Sequence, residues 1–432
     1  MADQLHAYLH EKRIGTIRRT TSSRTIRFDV APDYDGDASA LSEGVALIPG
    51  RQLDGQSISN FLGGYLPEGR HREHLASKRG LDSGDLFGML QSYGLTMAGA
   101  LSVRTDDPSD DTTPSHRPLT KSALREKAQK AVRDFDLGNE PDSGRSTLPG
   151  FQPKLLLANF EGEWFQPLLR AHSTHIVKPE LERRPSAIHD EFYSHELSRH
   201  MGLSSFASEI IRSKGMTLLA IERFDRKVLA AHMVEMIHQE DAAQVLGLDW
   251  ISSTAKFQDP LSPSRSDRPS AARIAEIFGS IGTGGDVGRW LRYLIFSVLV
   301  GNHDGHAKNV SLIHEGGDSR IADLYDAVPI LHINDDPARV GSAKINDELA
   351  LALNGVFAHH KITRADIAAE AASWGALSDR QISTILDESV ESFARALDDV
   401  AAPDLISSRL VPRLRHNVDR LSSGKKIGKP KS

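Results

Sequence analysis

The stretch Gly301-Asn302-His303-Asp304-Gly305-His306-Ala307-Lys308-Asn309 concentrates an aspartate, two histidines, a lysine and an amide in one polar turn. The ten residues before it, 291–300, are mainly apolar, which predicts a buried helix that ends where the turn begins. Glycine, asparagine, aspartate and histidine are also common in ordinary surface turns, so a capped turn without function is the alternative interpretation.

The spacing of three side chains favours phosphoryl transfer. Asp304 is followed five residues later by Asn309 and then by a second aspartate, Asp326. A phosphotransferase needs one carboxylate to orient and deprotonate a hydroxyl, and an amide with a second carboxylate to hold Mg²⁺ against phosphates. Lys308 is a candidate for stabilising charge on the transferred phosphoryl group. His306 either braces the turn or takes part in the chemistry.

Two other segments indicate a nucleotide site. Lys178 ends an apolar strand-like run, which suits contact with α- and β-phosphates, although a solvent-reaching strand lysine is the simpler alternative. Glu191 and Glu196, on the next predicted helix, are both candidates for its carboxylate partner, and the sequence does not choose between them. The segment Gln239-Glu240-Asp241 is a candidate hinge whose backbone binds adenine, or a helix N-terminus, or both.

Composition excludes several other classes of protein. The 432 residues are 39% hydrophobic and 25% charged, which is ordinary for a globular protein with two or three lobes. The absence of cysteine excludes disulfide frameworks, thiolate metal sites and cysteine nucleophiles. A net charge of −6 argues against a free-standing nucleic-acid-binding protein. The first residues resemble no signal peptide and no apolar run reaches membrane length, so we expect a cytoplasmic protein without a membrane association.

The order of predicted elements indicates two lobes. Short strands and a few helices alternate up to about residue 240, and helices dominate from residue 241 onward. A strand-rich half followed by a helix-rich half favours an α+β architecture with a cleft between two lobes. The basic tail, residues 425–431, is expected to be a solvated and frayed end.

Taken together, these segments resemble the HipA family of bacterial serine/threonine kinases. The segment Asp304-Gly305-His306-Ala307-Lys308-Asn309 matches the family's catalytic motif without a change, and other family motifs occur in the same order along nearly the whole chain. These are Phe61-Leu62-Gly63-Gly64-Tyr65-Leu66-Pro67-Glu68, Gly94-Leu95-Thr96-Met97-Ala98-Gly99-Ala100-Leu101, Gly150-Phe151-Gln152-Pro153-Lys154, His175-Ile176-Val177-Lys178, Ile221-Glu222-Arg223-Phe224-Asp225-Arg226, His238-Gln239-Glu240-Asp241 and Tyr325-Asp326.

The resemblance implies a bilobal, protein-kinase-like fold that uses ATP and Mg²⁺. It implies an N-terminal subdomain at residues 1–104, a kinase N-lobe at 105–240 with a phosphate-covering loop at 147–154, and a helical C-lobe at 241–432 with the catalytic loop at 301–309. It assigns catalysis to the Asp304 loop, metal binding to Asn309 and Asp326, and the adenine hinge to Glu240. The other nucleotide-binding residues that it implies are Lys178, Gly150, Gln152, Lys154, Gln239, Asp241 and His306.

The resemblance also implies a biological role. Members of the family are the toxins of toxin–antitoxin pairs, and they phosphorylate protein hydroxyls, including those of aminoacyl-tRNA synthetases, so that translation and growth stop. The implied partner is a small helix-turn-helix antitoxin of the HipB type, through which the toxin meets DNA only indirectly. Family members phosphorylate themselves just before the phosphate-covering loop, where this chain has Ser146 and Thr147.

One departure keeps alternatives open. The small residue that the family has after the loop glycine is Phe151 here, and a proline precedes Gly150, so the loop is bulkier and stiffer. A catalytically weak nucleotide-binding subunit of a DNA-binding antitoxin repressor complex is therefore the main alternative. A small-molecule kinase of the same broad fold is a third interpretation.

Overall fold

The computed structural model describes residues 4–53, 55–106, 113–134, 152–213, 215–281, 284–335 and 345–429. The chain forms two compact units, each assembled from several chain segments. The first unit collects Met1–Pro179, Ile211–Thr254 and Leu312–Ser319, and the second collects Glu180–Ile210, Ala255–Ser311 and Arg320–Ser432. The boundaries predicted near residues 104 and 240 stay predictions.

An antiparallel sheet of five strands opens the first unit, in the order β4-β3-β2-β1-β5. Alternate residues of the third strand are buried, as the period-two pattern predicts. Three helices pack on this sheet, with Phe28 and Phe61 fully buried in the shared core. The elements are β1 (Gln4–Leu9), β2 (Lys12–Arg19), β3 (Ile26–Val30), β4 (Gln52–Leu53), α1 (Gln56–Gly63), α2 (Gly69–Lys78), α3 (Leu86–Tyr93) and β5 (Leu101–Arg104).

A second sheet of six strands carries Lys178. Its order is β10-β11-β9-β7-β8-β6, and α4 (Lys121–Asp134) covers one face with Leu124, Ala128 and Ala131, which are spaced by one helical turn. Val177 packs under this helix. Because successive strand side chains point to opposite faces, Lys178 faces away from α4. The strands are β6 (Ser115–Pro118), β7 (Leu155–Phe160), β8 (Glu163–Leu168), β9 (His175–Pro179), β10 (Ser208–Ser213) and β11 (Met216–Glu222).

A short strand at residues 238–241 forms the predicted hinge segment. This strand, β14 (His238–Asp241), follows the hairpin β12 (Arg226–Ala230) and β13 (Met233–Met236), and it pairs in a three-stranded sheet with β15 (Ser311–Glu315), which pairs with β16 (Asp318–Ile321). Its last residue, Asp241, is also the N-cap of α6 (Ala242–Val245), in a capping box with Gln244. The helix N-terminus interpretation of this segment is therefore confirmed, and the adenine hinge stays a prediction.

The second unit is mainly helical and surrounds one apolar helix. That helix, α8 (Asp286–Val300), is buried over most of its length, as the run at 291–300 predicts, and its Phe296 meets Phe393 of α10 edge to face at 5.6 Å. Ser270, Thr363 and Ser378 cap three of the other helices with their side chains. The other elements of the unit are α5 (Ala187–His200), α7 (Ala271–Ser280), β17 (Glu348–Leu353), β18 (Val356–Ala358), α9 (Arg364–Ser373), α10 (Asp379–Asp399) and α11 (Leu410–Ser422).

The expectation of a frayed tail is wrong for residues 425–429. Ile427 is fully buried, and its backbone N–H donates to the carbonyl of Ile362 at 2.9 Å. Its carbonyl in turn lies 2.7 Å from Nε2 of His416. The apolar side chain among the lysines therefore anchors the segment to the second unit.

Bilayer-spanning segments are not found among the helices that the structure describes, because none of them is both long and apolar enough.

Candidate active site

The Asp304 turn starts from a tightly closed helix end. Gly301 adopts the left-handed conformation at φ 69°, which terminates α8. The backbone N–H of Asn302 then donates to the carbonyl of Ser297 at 2.9 Å. A glycine is suited to this position because a side chain would strain the left-handed backbone.

Two buried side chains from distant segments bind the last carbonyl groups of α8. Nε2 of His359 donates to the carbonyl of Val298 at 2.8 Å, and Nδ2 of Asn417 donates to the carbonyl of Leu299 at 2.9 Å. Both side chains are fully buried. Burial lowers the pKa of His359 to about 4, so the imidazole is neutral at physiological pH. The start of the turn is therefore fixed by two buried side chains.

The backbone of Asp304 is held by hydrogen bonds while its carboxylate faces solvent. Its N–H donates to Oδ1 of Asn302 at 3.0 Å. Its carbonyl accepts from Nδ2 of Asn309 at 2.9 Å and from the N–H of His306 at 2.8 Å. The side chain is 56% exposed. This arrangement suits a catalytic carboxylate, because the group is positioned and remains accessible to a substrate hydroxyl.

His306 braces the turn from inside the second unit. Its ring is buried and meets Phe257 edge to face, with ring centroids 5.1 Å apart. Its Nε2 lies 3.8 Å from Oδ1 of Asp304, and the next residue, Ala307, donates its N–H to the carbonyl of Lys256 at 3.2 Å. These contacts favour the bracing alternative, and the assignment of His306 to nucleotide binding stays a prediction.

Tyr325 links the Asp304 turn to the segment that contains Asp326. Its hydroxyl donates to the carbonyl of Lys308 at 2.9 Å and lies 2.7 Å from Oγ of Ser311. Asp326, the next residue, has φ 54°, a left-handed conformation that is uncommon outside glycine and concentrates at functional sites. Sequence reasoning missed the role of this tyrosine, and its position directly before a predicted metal ligand was the available signal.

The predicted metal ligands Asn309 and Asp326 offer the donors that Mg²⁺ prefers. Nδ2 of Asn309 is used by the carbonyl of Asp304, so its amide oxygen is the atom that would face a cation. Within the described ranges, three or more His, Cys, Asp or Glu side chains do not converge as a metal cage. Mg²⁺ binds through one or two protein oxygens with water and phosphate oxygens, so a sparse set of this kind fits it.

The predicted nucleotide residues of the first unit differ in their surroundings. Lys178 is 8% exposed and lies opposite Leu219 in the sheet. Lys154 is also buried, whereas Gln152 is exposed. Gly150, Ser146 and Thr147 lie outside the described residues.

The side chains of the hinge segment form hydrogen bonds within the first unit. The carboxylate of Glu240 is buried and accepts from Oγ of Ser42 at 2.6 Å and from the N–H of Glu43 at 2.8 Å. Nε2 of Gln239 donates to Asp225 at 3.2 Å. These side chains hold the strand in place, and the assignment of the hinge to adenine binding stays a prediction.

The two candidate partners of Lys178 have different environments in the second unit. Glu196 is part-exposed and pairs with Arg199 at 3.0 Å. Glu191 is buried, and its Oε1 lies 3.7 Å from Nε2 of His195. The choice between them stays open.

Comparison with known proteins identifies both halves of the chain. The family model for the HipA N-terminal domain matches residues 5–104, and the model for the HipA-like C-terminal domain matches residues 146–397. The "Putative kinase Y4mE" of Sinorhizobium fredii is 29% identical over 363 residues, which cover 81% of each chain. The "Serine/threonine-protein kinase toxin HipA" of Shewanella oneidensis is 24% identical over 365 residues, which cover 80% of this chain and 79% of the relative.

A solved structure confirms the predicted fold class. HipA of Shewanella oneidensis, in its complex with HipB and operator DNA, superposes with a TM-score of 0.75 at 21% identity and covers 96% of this chain and 95% of its own. The chain therefore has the α+β, kinase-like fold that the sequence predicts.

Proposed function

Because the chain belongs to the HipA family of serine/threonine kinases, we propose that it transfers a phosphoryl group from ATP to a serine or threonine hydroxyl of a protein. The observation that carries this proposal is the Asp304 turn, whose backbone is held at both ends while its carboxylate stays exposed. Phosphoryl transfer requires an accessible, positioned carboxylate for the substrate hydroxyl. It also requires an amide and a second carboxylate for the metal ion.

In the proposed reaction Asp304 orients the substrate hydroxyl and takes its proton. The hydroxyl oxygen forms a bond to the γ-phosphorus as the bond between that phosphorus and the bridging oxygen breaks, and ADP leaves with the electron pair. Lys308 stabilises the charge that builds on the transferred group. Asn309 and Asp326 would hold Mg²⁺, which when bound neutralises charge on phosphate oxygens.

The remaining predicted residues have nucleotide-binding roles in this proposal. Lys178 contacts the phosphates, and the loop with Gly150, Gln152 and Lys154 covers them. The backbone of residues 239–241 binds adenine. The support for these roles is the match of each segment to the family motif, the burial of Lys178 and Lys154, and the fixed position of the hinge strand.

The proposed biological role is that of the toxin in a toxin–antitoxin pair in the cytoplasm. The substrate would be a protein, of the kind that the family resemblance implies, an aminoacyl-tRNA synthetase. Its phosphorylation would stop translation and growth. The solved relative is bound to HipB and operator DNA, which supports a HipB-like helix-turn-helix antitoxin as partner, with DNA reached only through it. Autophosphorylation would occur at Thr147 or Ser146.

Growth arrest tests this role. Inducible expression of the chain in a bacterial host should stop growth, whereas Asp304→Asn, expressed to the same level, should not. Arrest by both proteins would contradict a role that depends on phosphoryl transfer. Absence of arrest by either would favour the second candidate, a catalytically weak nucleotide-binding subunit of an antitoxin repressor complex, for which the bulky Phe151 in the loop is the supporting observation.

A further inference from the structure

Helix α5 (Ala187–His200) is unusual because most of its buried side chains are polar. Six of its nine buried residues are histidine, serine, aspartate or glutamate. Burial of a polar side chain costs free energy unless a partner compensates for the lost water. The partners of these side chains therefore indicate what the helix holds in place. Two of them, Asp190 and Ser194, contact the segment that begins with Asp326.

Ser194 binds the backbone directly after Asp326. Its Oγ donates to the carbonyl of Ala327 at 2.6 Å, and both residues are at most 4% exposed. The N–H of Val328 donates to the carbonyl of Asp326 at 3.1 Å, so Ala327 is the middle residue of a three-residue turn. The hydroxyl of Ser194 therefore fixes the turn into which Asp326 leads.

The backbone of Asp326 needs support of this kind. Its φ of 54° is a left-handed conformation, which is strained for a residue with a side chain and persists only where neighbouring groups hold it. On one side of Asp326, the hydroxyl of Tyr325 binds the carbonyl of Lys308 in the Asp304 turn. On the other side, Ser194 supplies the hydrogen bond to Ala327. The two bonds bracket the residue whose carboxylate is the predicted metal ligand.

Asp190 holds the same segment farther along the chain. It precedes Ser194 by four residues, so the two side chains lie on one face of α5. Oδ2 of Asp190 lies 3.3 Å from Nε2 of His332, and both side chains are fully buried. Its Oδ1 accepts the N–H of Ser407 at 2.8 Å. One face of α5 therefore contacts the segment at both Ala327 and His332.

Between these two contacts the segment meets the start of the Asp304 turn. The backbone N–H groups of Ile330 and Leu331 both donate to the carbonyl of Gly301 at 3.3 Å. Gly301 is the left-handed residue that ends α8. Residues 326–332 therefore lie between α5 and the end of α8, and both helices belong to the second unit.

We infer that α5 is a positioning element of the metal site, with Ser194 as the residue that aligns the carboxylate of Asp326. This inference rests on the proposed function, in which Asn309 and Asp326 bind Mg²⁺. Ser194 acts through the backbone of Ala327 and does not coordinate the metal itself. Loss of its hydroxyl should weaken metal binding and leave the binding of nucleotide without metal little changed.

Two serine substitutions on the same helix test the inference. Ser194→Ala removes the bond to Ala327, whereas Ser198→Ala removes a similarly buried hydroxyl that donates to the carbonyl of His195 within α5. Mn²⁺ is the probe, because it prefers the same oxygen ligands as Mg²⁺ and free Mn²⁺ is measured by electron paramagnetic resonance.

The full chain is titrated with Mn²⁺ at saturating ADP. Ser194→Ala should raise the Mn²⁺ dissociation constant about fivefold, while its ADP dissociation constant without metal stays within about twofold of wild type. Ser198→Ala should leave both constants within about twofold of wild type.

Ser194→Cys provides a milder test in case Ser194→Ala does not fold. A thiol is a weak donor of similar size, so the Mn²⁺ dissociation constant should rise about threefold. Wild-type Mn²⁺ affinity in folded Ser194→Ala, or an equal change in Ser198→Ala, would overturn the inference, as would wild-type affinity in Ser194→Cys when Ser194→Ala is unfolded. If the wild-type chain binds no ADP, or binds ADP without Mn²⁺, the proposed function fails instead, so the two failures are distinguishable.

Discussion

Tyr325 donates its hydroxyl to the backbone carbonyl of Lys308 at 2.9 Å. Because a phenol has one proton to donate, Oγ of Ser311, 2.7 Å away, acts as the donor in its own contact with Tyr325. The hydrogen bond joins the turn that carries Asp304 to the residue that precedes Asp326. Within the second unit, this bond connects the turn with the proposed base, Asp304, to the segment with the proposed metal ligand, Asp326.

Tyr325→Phe should therefore slow phosphoryl transfer while the protein stays folded. Loss of the two hydrogen bonds of the hydroxyl should lower the free energy of unfolding by about 1–3 kcal/mol. We expect kcat to fall about tenfold because the turn is less well positioned. Steady-state kinetics and urea unfolding measure the two effects.

Tyr293→Phe is the matched control for this prediction. The hydroxyl of Tyr293 also makes two hydrogen bonds: it donates to the carbonyl of Ala322 at 2.6 Å and accepts from Nε of Arg289 at 2.7 Å. Neither partner belongs to the Asp304 turn. A similar loss of stability with unchanged kcat is expected. An equal fall in kcat in both variants would show that the effect on Tyr325→Phe is only a general loss of stability.

Asp326 combines an uncommon backbone with a predicted metal-binding role, and substitutions can separate the two. Asparagine tolerates the left-handed conformation at φ 54°, so Asp326→Asn should change stability by less than about 0.5 kcal/mol. It removes the charged oxygen donor, so the Mg²⁺ concentration that supports activity should rise at least about tenfold. Activity measured across a Mg²⁺ titration tests this.

Asp326→Gly completes that test. Glycine relieves the backbone strain of the left-handed conformation and should not lower the melting temperature, yet it should also lose the Mg²⁺ response. A wild-type Mg²⁺ dependence in either variant would remove Asp326 from the metal site.

The burial of His359 at the end of α8 predicts that the protein becomes less stable in acid. Its pKa is about 4 in the folded protein and about 6.5 when unfolded, so the unfolded chain binds a proton more readily between these values. Stability from the neutral ring is complete above pH 6.5 and is lost as the pH falls toward 4, by up to about 3 kcal/mol. Unfolding free energies measured at pH 7 and pH 5 should show this decrease.

His359→Gln isolates the contribution of this residue, because its amide can still donate to the carbonyl of Val298 but does not titrate. The variant should be less stable than wild type at pH 7, and the difference should narrow at pH 5. His238, whose pKa is also lowered by burial, titrates in both proteins and cancels in the comparison. A constant difference between pH 5 and 7 would contradict the assignment.

Glu191 and Glu196 are the two candidate partners of Lys178, and we expect different results when each is substituted. Glu191 is buried, and removal of a buried carboxylate leaves its neighbours uncompensated, so we expect Glu191→Gln to reduce nucleotide affinity. Glu196 is part-exposed and already paired with Arg199, so Glu196→Gln should leave affinity unchanged. ADP titrations of the two variants decide which carboxylate is the partner of Lys178, and a larger effect from Glu196→Gln would favour Glu196.

The parts that could be predicted from the sequence depend on local spacing. The apolar run at 291–300, the glycine after it and the pattern of Asp304 and Asn309 are close in sequence, and they define the buried helix and its polar turn. The strand with Lys178 also follows from a short apolar run. The family resemblance supplied the kinase-like fold, which the solved relative confirms.

The features that could not be predicted from the sequence depend on tertiary contacts between distant segments. The bond between Ser42 and Glu240 joins residues 198 positions apart, and the bond between Asn417 and Leu299 spans 118. The burial of Ile427 depends on Ile362 and His416, which is why a lysine-rich tail was wrongly predicted to be frayed. No local periodicity encodes such pairs.

The central claim is that phosphoryl transfer depends on the carboxylate of Asp304. Mass spectrometry of the purified chain and of Asp304→Asn, each after incubation with Mg·ATP, tests this claim most directly. The wild-type chain should gain phosphate at Thr147 or Ser146, and the variant should do so about 10²–10⁴-fold more slowly while its ADP affinity stays within about twofold. Equal phosphate incorporation in the two proteins, or none in either while both bind nucleotide, would contradict the account.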